Sequence, residues 1–337
     1  MSKAPENPRT SWLSRLLALA PGSARPAPAS ELAFPPDFLS TLERLRLVAL
    51  KAIGGGVREG HRLGAYKGGQ LEFHGHRSYS PGDDLRYIDW NTYARIGKPF
   101  VKEFAREEAG VVHLLLDATP SMALGRPDKW TFARRVAALF SHVALASNDV
   151  VFINIFRDNQ PLDRFPSRGA KGGIRELLRF LEESPLSQPL SRETDTPSPL
   201  HPGGLSDAVQ KFLHGSPARG RVIVISDFWH DERDVVGAIA RLSSSGFDPA
   251  GIHVLAPEEL SAHADGELLA RSLEEDTELE LSAGGDLAER YSRELEAHCR
   301  AVEESFRKRG GNYLRADSST SIENVLITSL RQRRWMS

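Results

Sequence analysis

Acidic and hydroxyl side chains follow the most apolar segment of this sequence. The run LLLDATPSM (114–122) places Asp117 directly after an apolar stretch, with Thr119 and Ser121 two and four residues further on. One carboxylate and two hydroxyls form an all-oxygen set of the kind that Mg²⁺ and Mn²⁺ prefer. The same residues also suit a turn in which Asp117 caps backbone amides, and this spacing alone is common by chance.

A second apolar segment ends in the same way. The run VIVISD (222–227) places Ser226 and Asp227 after a second apolar stretch. Ligands of a doubly wound sheet bind outside the carboxyl ends of its strands. If these two strands are neighbours, Asp117 and Asp227 converge on one point. The metal-site and turn interpretations are then about equally supported.

The run RSYSPGDDLRYIDWNTYAR (77–95) concentrates acids and arginines around a Pro-Gly turn. Arginine forms rigid bidentate pairs with carboxylates, so we predict a cluster that holds a loop without a large apolar core. A metal site or an acid–base pair is the less favoured alternative, because nearly every acid has an arginine close by in sequence. A buried Asp84–Arg86 pair would make this cluster essential for stability. The residues assigned to this structural or interaction cluster are Arg77, Pro81, Gly82, Asp83, Asp84, Arg86, Asp89, Trp90 and Arg95.

Alternating strands and helices must position these residues. We predict a first helix over 38–53, with an apolar face formed by Leu39, Leu42, Leu45, Leu47 and Leu50. Residues 57–106 are predicted to be short strands and ordered loops. Beyond residue 110, strands and helices alternate, which predicts an α/β fold with a doubly wound, mostly parallel sheet. Strands are predicted at 111–116, 150–156, 162–165, 221–226, 251–255, 277–281 and near 313, and helices at 128–143, 171–182, 205–213, 232–242, 286–309 and in the last residues.

Composition excludes several classes of protein. The 337 residues suggest about two domains. The 43 Lys and Arg nearly balance the 45 Asp and Glu, so no charge excess points to nucleic acid or an anionic membrane. A single cysteine, Cys299, excludes a disulfide framework and a cysteine-based zinc cluster. No segment reaches the ~18 apolar residues that a spanning helix needs. We therefore predict a cytoplasmic protein with no transmembrane segment and no nucleic-acid partner.

Three stretches carry a family resemblance: the run from Gly68 through EFHGHRSYSPGDDLRYIDWNTYAR to Arg95, the stretch VKEF (101–104) with Glu107, and LLLDATPSM (114–122). Together they resemble one family, the domain of unknown function 58. Its members carry a von Willebrand factor A-like domain, and the resemblance extends over about residues 40–316. It implies a non-enzymatic binding or adaptor module. The implied partners are a MoxR-type AAA+ ATPase and a client protein or complex that matures with its help.

This resemblance also implies a division of the chain. We predict a disordered leader over 1–36, rich in Pro, Ala and Ser. A helix and a β-rich, family-specific region follow over 37–110. The von Willebrand A-like domain takes up 111–317, and a helix and tail occupy 318–337.

A metal-ion-dependent adhesion site is implied by the same resemblance. Such sites combine D-x-S-x-S with a Thr on a second loop and an Asp on a third. The second loop here, PGGLSDAV (202–209), has Gly203 at the Thr position, with Ser206 or Asp207 as substitutes. We therefore predict a degenerate site that binds Mg²⁺ or Mn²⁺ weakly. The metal ligands implied are Asp117, Thr119, Ser121 and Asp227.

Two other functions stay open. A metal-dependent hydrolase would use Asp117 and Asp227 to hold an ion that activates water. His230 and Asp231 are its only nearby candidates for a base, and we predict that the protein is not an enzyme. An envelope-associated factor would be held at the membrane by the leader.

Overall fold

The computed structural model describes most of the chain. The described residues are 33–54, 71–106, 110–158, 160–165, 173–186, 204–215, 217–260, 267–271, 278–282 and 285–331. They form two compact units. One is Gly60–Gly110, and the other combines the preceding residues with Val111–Ser337.

A six-stranded sheet organises the larger unit. Its strand order is β10-β7-β6-β3-β4-β5, and all pairs are parallel except the one between β4 and the edge strand β5. The first strand of this sheet therefore lies at its centre, and the chain extends to one side and then to the other. The strands of the protein are β1 (Leu71–Ser78), β2 (Phe100–Arg106), β3 (Val111–Asp117), β4 (Val150–Phe156), β5 (Asp163–Arg164), β6 (Arg221–Ser226), β7 (Asp248–Leu255), β8 (Glu267–Arg271), β9 (Glu278–Ser282) and β10 (Asn312–Asp317).

Helices cover both faces of this sheet. Side chains alternate along a strand, so Leu114 and Leu116 of β3 join one apolar core while Leu115 joins the other. The first core packs against α1, α3, α4 and α9, and the second against α5, α6 and α8. The helices are α1 (Phe38–Gly54), α2 (Trp90–Ile96), α3 (Lys129–Ala146), α4 (Ile174–Glu183), α5 (Leu205–His214), α6 (Glu232–Ser244), α7 (Pro257–Leu260), α8 (Gly285–Arg307) and α9 (Ile322–Arg331).

The smaller unit is a β-hairpin with a helical insertion. Strands β1 and β2 pair antiparallel from Leu71↔Arg106 to Ser78↔Phe100, with an irregularity between Phe73 and Gly75. The insertion contains a 3-10 turn at Leu85–Tyr87 and the short helix α2. In the described part of the larger unit, β8 and β9 form a separate antiparallel pair.

The predicted fold class is confirmed by this strand order, and most elements beyond residue 110 lie close to their predicted ranges, although α7 (Pro257–Leu260) and β8 (Glu267–Arg271) were not predicted. Helix α2 was missed, because seven residues are too few to show a helical period. Most of the leader predicted over 1–36 lies outside the described residues. In the part of the chain that the structure covers, no helix combines the length and the apolar character needed to cross a membrane.

Helix α1 differs from its prediction in two ways. Its described buried side chains are Phe38, Leu42, Leu45 and Ala49, whereas Leu47 is 53% exposed and points away from the core. We also expected this helix to belong with the β-rich region over 37–110. Its apolar face instead packs into the core beneath the six-stranded sheet, as does the apolar face of α9.

Strand β7 approaches α8 so closely that Gly251 has no room for a side chain. A Cβ atom there would lie 2.4 Å from the ring of Phe306, which is fully buried. We expect Gly251→Ala to lower the free energy of unfolding by about 1–3 kcal/mol in urea denaturation, because the core is overpacked.

Gly237→Ala in α6 is the matched control, because its Cβ would meet only Ser206 Oγ at 3.6 Å. Its stability should be unchanged or higher, since alanine favours the helix. Equal losses in both variants would contradict the close packing of β7 on α8.

Candidate functional site

Asp117 is fixed at the carboxyl end of the central strand. The register of β3 and β6 pairs Leu116 with Ile225, which brings Asp117 beside Ser226. Its Oδ2 accepts a hydrogen bond from the Ser226 hydroxyl at 2.6 Å, and its Oδ1 accepts one from the Thr119 amide at 2.9 Å. Asp117 is completely buried, so these bonds replace the water that it loses.

The two hydroxyls of the first loop lie together. Thr119 Oγ1 and Ser121 Oγ are 3.1 Å apart and share a hydrogen bond. Thr119 precedes a 3-10 turn at Pro120–Ala123, which directs the loop toward α3. The Thr119 amide closes a turn on Asp117, as the turn interpretation predicts. The same turn places the two hydroxyls side by side, as the metal interpretation requires.

Asp227 has a partner that the sequence did not reveal. The ammonium of Lys129, the first residue of α3, lies 2.7 Å from Asp227 Oδ2. Burial raises the pKa of Asp227, but the charge and hydrogen bond of Lys129 outweigh burial and leave this pKa below its usual range. Asp227 is therefore ionised, and its negative charge is already paired with the ammonium of Lys129.

Two further residues complete this edge of the sheet. His230 Nε2 lies 3.3 Å from Asp117 Oδ2, which places the histidine in the site as the hydrolase alternative requires. Asp158, two residues after the end of β4, was missed. Burial and, to a smaller extent, the charge of Asp117 raise its pKa to about 6. The rule that points to the carboxyl ends of strands could have found Asp158, because it follows the apolar run VVFINIF.

The second loop is engaged elsewhere. The Ser206 hydroxyl donates to the Asp234 carbonyl at 3.0 Å, and the Ser206 amide donates to the Asp234 carboxylate at 3.1 Å. Asp207 pairs with Lys211 at 2.6 Å on the same helix. Gly203 lies outside the described residues. The contacts of Ser206 therefore bind α5 to α6.

A divalent cation fits the four predicted ligands poorly. Asp227 is neutralised by Lys129, and one oxygen of Asp117 already accepts from Ser226. The hydroxyls of Thr119 and Ser121 are bonded to each other, and a hydrogen bond from Ser121 also lowers the pKa of Asp227. Among the residues that the structure describes, no group of three or more His, Cys, Asp or Glu side chains is arranged to hold a metal ion. The binding of Mg²⁺ or Mn²⁺ stays a prediction, and Lys129 supplies a physical reason for it to be weak.

The run at 77–95, rich in Asp and Arg, forms local ion pairs in the smaller unit. Arg77 binds Asp83 through two bonds of 2.7 Å, and Arg86 binds Asp84 at 2.6 Å. The Asp84–Arg86 pair is not buried, since the Arg86 side chain is 84% exposed. A pair formed two residues apart on a surface turn has little apolar structure around it.

Asp89 has a different role from its neighbours. Its Oδ1 accepts from the amides of Asn91 and Thr92 and so caps α2, while its Oδ2 lies 2.6 Å from His76 Nε2. Trp90 follows it and is 63% exposed.

Strand order and buried acids define the larger unit as a doubly wound α/β protein with a carboxylate-rich edge. The chain belongs to the family described as "Protein of unknown function DUF58", whose model matches residues 75–301. The resemblance found in the sequence is thereby confirmed. The sheet, with its one antiparallel edge strand, agrees with the von Willebrand A-like fold implied for this family.

Two curated relatives are similar along most of their length. The chain is 24% identical over 307 residues to "Uncharacterized protein Rv1480" of Mycobacterium tuberculosis, and equally to "Uncharacterized protein Mb1516" of Mycobacterium bovis. The match covers 88% of this chain and 91% of each relative.

Several solved structures are similar at lower identity. BatB from Bacteroides thetaiotaomicron is 16% identical, and the match covers 66% of this chain and 100% of BatB with a TM-score of 0.38. The SpRpn10 VWA domain is 10% identical over 66% of this chain and 95% of that domain, with a TM-score of 0.38. The manganese-loaded TRAP protein of Plasmodium vivax is 20% identical over 43% of this chain and 57% of TRAP, with a TM-score of 0.30.

The raised pKa of Asp158 predicts a pH dependence of stability. This pKa is about 6 in the folded chain against 3.8 ordinarily, so the folded state holds the proton more tightly between these values. The free energy of unfolding should therefore fall as pH rises through this window. Asp158→Asn should remove that fall and stabilise the protein at neutral pH by about 1–2 kcal/mol, after allowance for partial exposure.

Urea denaturation in the presence of a chelator, at pH values from about 4 to about 7, measures this effect. The charges that face Asp158 are Asp117, His230, Lys211 and Asp207, and they are the same in both proteins. Superimposable pH profiles for wild type and variant would contradict the burial of Asp158 beside Asp117.

In the smaller unit, Asp89 should matter more than Asp84. Asp89→Ala removes the cap of α2 and the contact with His76, whereas Asp84→Ala removes an exposed pair. We expect faster hydrogen exchange of the amides of α2 in Asp89→Ala and little change in Asp84→Ala. Equal exchange in the two variants would show that the Asp89 cap does not stabilise this helix.

Proposed function

We propose that this chain is a non-enzymatic binding module that acts as an adaptor between a MoxR-type AAA+ ATPase and a client protein. The contact surface in this proposal is the carboxyl edge, where the partly exposed Asp158 and His230 lie beside the buried acids Asp117 and Asp227. Family membership supports the proposal, because the resemblance to this family implies such a partner. A cytoplasmic location would suit a partner that consumes ATP.

One observation carries the choice of surface. Asp117 is held by the Thr119 amide and the Ser226 hydroxyl, so its loops are connected before any partner arrives. Asp158 and His230 are less buried than Asp117 and Asp227. A preformed polar surface loses little entropy on binding. Its negative charge favours a partner that offers basic side chains or hydrogen-bond donors.

A hydrolase is the second candidate, and the contact between His230 and Asp117 favours it. An acid and a histidine at this distance can share a proton-transfer role. Asp231, the other candidate base, instead caps α6 by accepting from the Arg233 amide at 2.8 Å. Turnover of ester or phosphate substrates that is lost in His230→Ala would favour the hydrolase over the adaptor.

Asp117→Asn tests the proposed surface. The amide keeps the shape of the side chain and one acceptor oxygen but removes the charge. We expect binding to the purified ATPase to weaken about tenfold or more, as measured by interferometry or calorimetry. Thermal denaturation of the variant shows whether it is folded.

Glu304→Gln is the matched control, because it also removes one carboxylate but lies exposed on α8, where it pairs with Lys308. It should bind like wild type. Trp90→Ala tests the smaller unit instead. Loss of binding in Trp90→Ala together with full binding in Asp117→Asn would show that the partner contacts the run at 77–95. That result would overturn the proposed surface. Recovery of the chain with membranes on fractionation would favour an envelope-associated factor.

A further inference from the structure

A fully buried lysine lies at the centre of the carboxyl edge. Lys129 Nζ is 2.7 Å from Asp227 Oδ2 and 2.7 Å from Glu259 Oε1, and the side chain of Lys129 has no exposed surface. Glu259 belongs to α7, directly after β7. One ammonium therefore joins carboxylates that follow two neighbouring strands, β6 and β7.

Local structure fixes each member of this triad. Asp128 caps α3 by accepting from the Thr131 amide at 2.7 Å, which places Lys129 at the start of the helix. Glu259 accepts from the Ala256 amide at 2.6 Å and from Trp229 Nε1 at 3.2 Å. The lysine therefore meets a carboxylate that is already oriented.

The carboxylates of Asp227 and Glu259 keep Lys129 protonated. Burial lowers the pKa of this ammonium, but Asp227 and Glu259 outweigh burial and the pKa is raised. Burial and the neighbouring charge of Asp227 raise the pKa of Glu259, so Glu259 is the weaker acid of the two. Asp227 stays ionised, because its own pKa is lowered. The 2.7 Å separation of Lys129 Nζ from Asp227 Oδ2 is that of a charge-assisted hydrogen bond between an ammonium and a carboxylate.

We infer that Lys129 is a built-in cation, which supplies at Asp227 the positive charge that the family resemblance assigns to a divalent ion. The triad Lys129–Asp227–Glu259 then holds the loops after β6 and β7 against α3 without any metal. Removal of Lys129 would leave Asp227 buried with no strong counter-charge, and that acid could then accept a divalent ion. Lys129 would act in this way whether or not the proposed ATPase partner binds.

The double variant Lys129→Met with Glu259→Gln tests this inference on the chain alone. It removes the ammonium and one carboxylate together, so that Asp227 loses its counter-charge. The one carboxamide oxygen of Glu259→Gln can still accept from the Ala256 amide, which donates to Oε2 of Glu259. We expect the melting temperature of wild type to be the same in EDTA and in millimolar MgCl₂ or MnCl₂. The double variant should melt lower in EDTA and recover by about 4 °C or more when either salt is added.

Two controls isolate Asp227. Glu259→Gln alone keeps the Lys129–Asp227 pair and should show no response to metal. Addition of Asp227→Asn to the double variant should abolish the response that the double variant shows. Mn²⁺ binding followed by calorimetry is the second measurement, with binding expected only where Lys129 is absent and Asp227 is present.

Three results would overturn the inference. A wild-type melting temperature that rises with Mg²⁺ and falls with EDTA would show that a metal, not Lys129, neutralises the site. This result needs no variant, so it stands even if the double variant fails to fold. A folded double variant that ignores both metals would show that Asp227 needs no cation. A response that persists after Asp227→Asn would place the ion at other residues.

Discussion

Burial of charge at one edge of the six-stranded sheet is the constraint on which the site depends. A carboxylate that leaves water destabilises the fold unless hydrogen bonds or an opposite charge compensate it. Asp117 is compensated by the Ser226 hydroxyl and the Thr119 amide, and Asp227 by Lys129. Ser226 ends β6, Thr119 follows β3 and Lys129 begins α3. The hydrogen bonds that satisfy the two acids therefore also connect these three elements.

Compensation is uneven across this edge. On the side of β7, the Lys129 ammonium balances Asp227 and lies beside Glu259, and all three are buried. On the side of β4, Asp158 lies near Asp117, and its pKa of about 6 reflects burial together with that neighbouring charge. The balanced side suits a structural role. The side with excess negative charge, where His230 also lies, is the part with charge left for a ligand or partner.

The smaller unit is organised by contacts between residues close in sequence. Arg77 and Asp83 are six residues apart, and Asp84 and Arg86 two apart. These contacts hold a surface turn and a capped helix, and they leave Trp90 and Ile96 exposed. Large exposed apolar side chains grouped in one short segment are typical of interaction surfaces. The unit therefore offers the second surface that a partner could recognise.

The sequence by itself determined the features that depend on residues close together along the chain. Apolar periodicity located most strands and helices, and the ends of β3 and β6 identified Asp117 and Asp227. Arginines near acids predicted a cluster of ion pairs, to which the pair of Arg77 with Asp83 belongs. Each of these follows from residues within a few positions of each other. Even so, exposure was not predictable, because the surroundings of Asp84 and Arg86 depend on how much apolar structure covers them.

Only the tertiary structure decided the electrostatics of the site. Lys129 lies 98 residues from Asp227 and 130 from Glu259, and nothing around it in the sequence marks it as different from a surface lysine. Its partners are set by the strand order, which puts β6 beside β7, and by the position of α3 against both. The ion-pair partner of a buried side chain depends on which elements pack together across the sheet. That packing is a property of the whole fold.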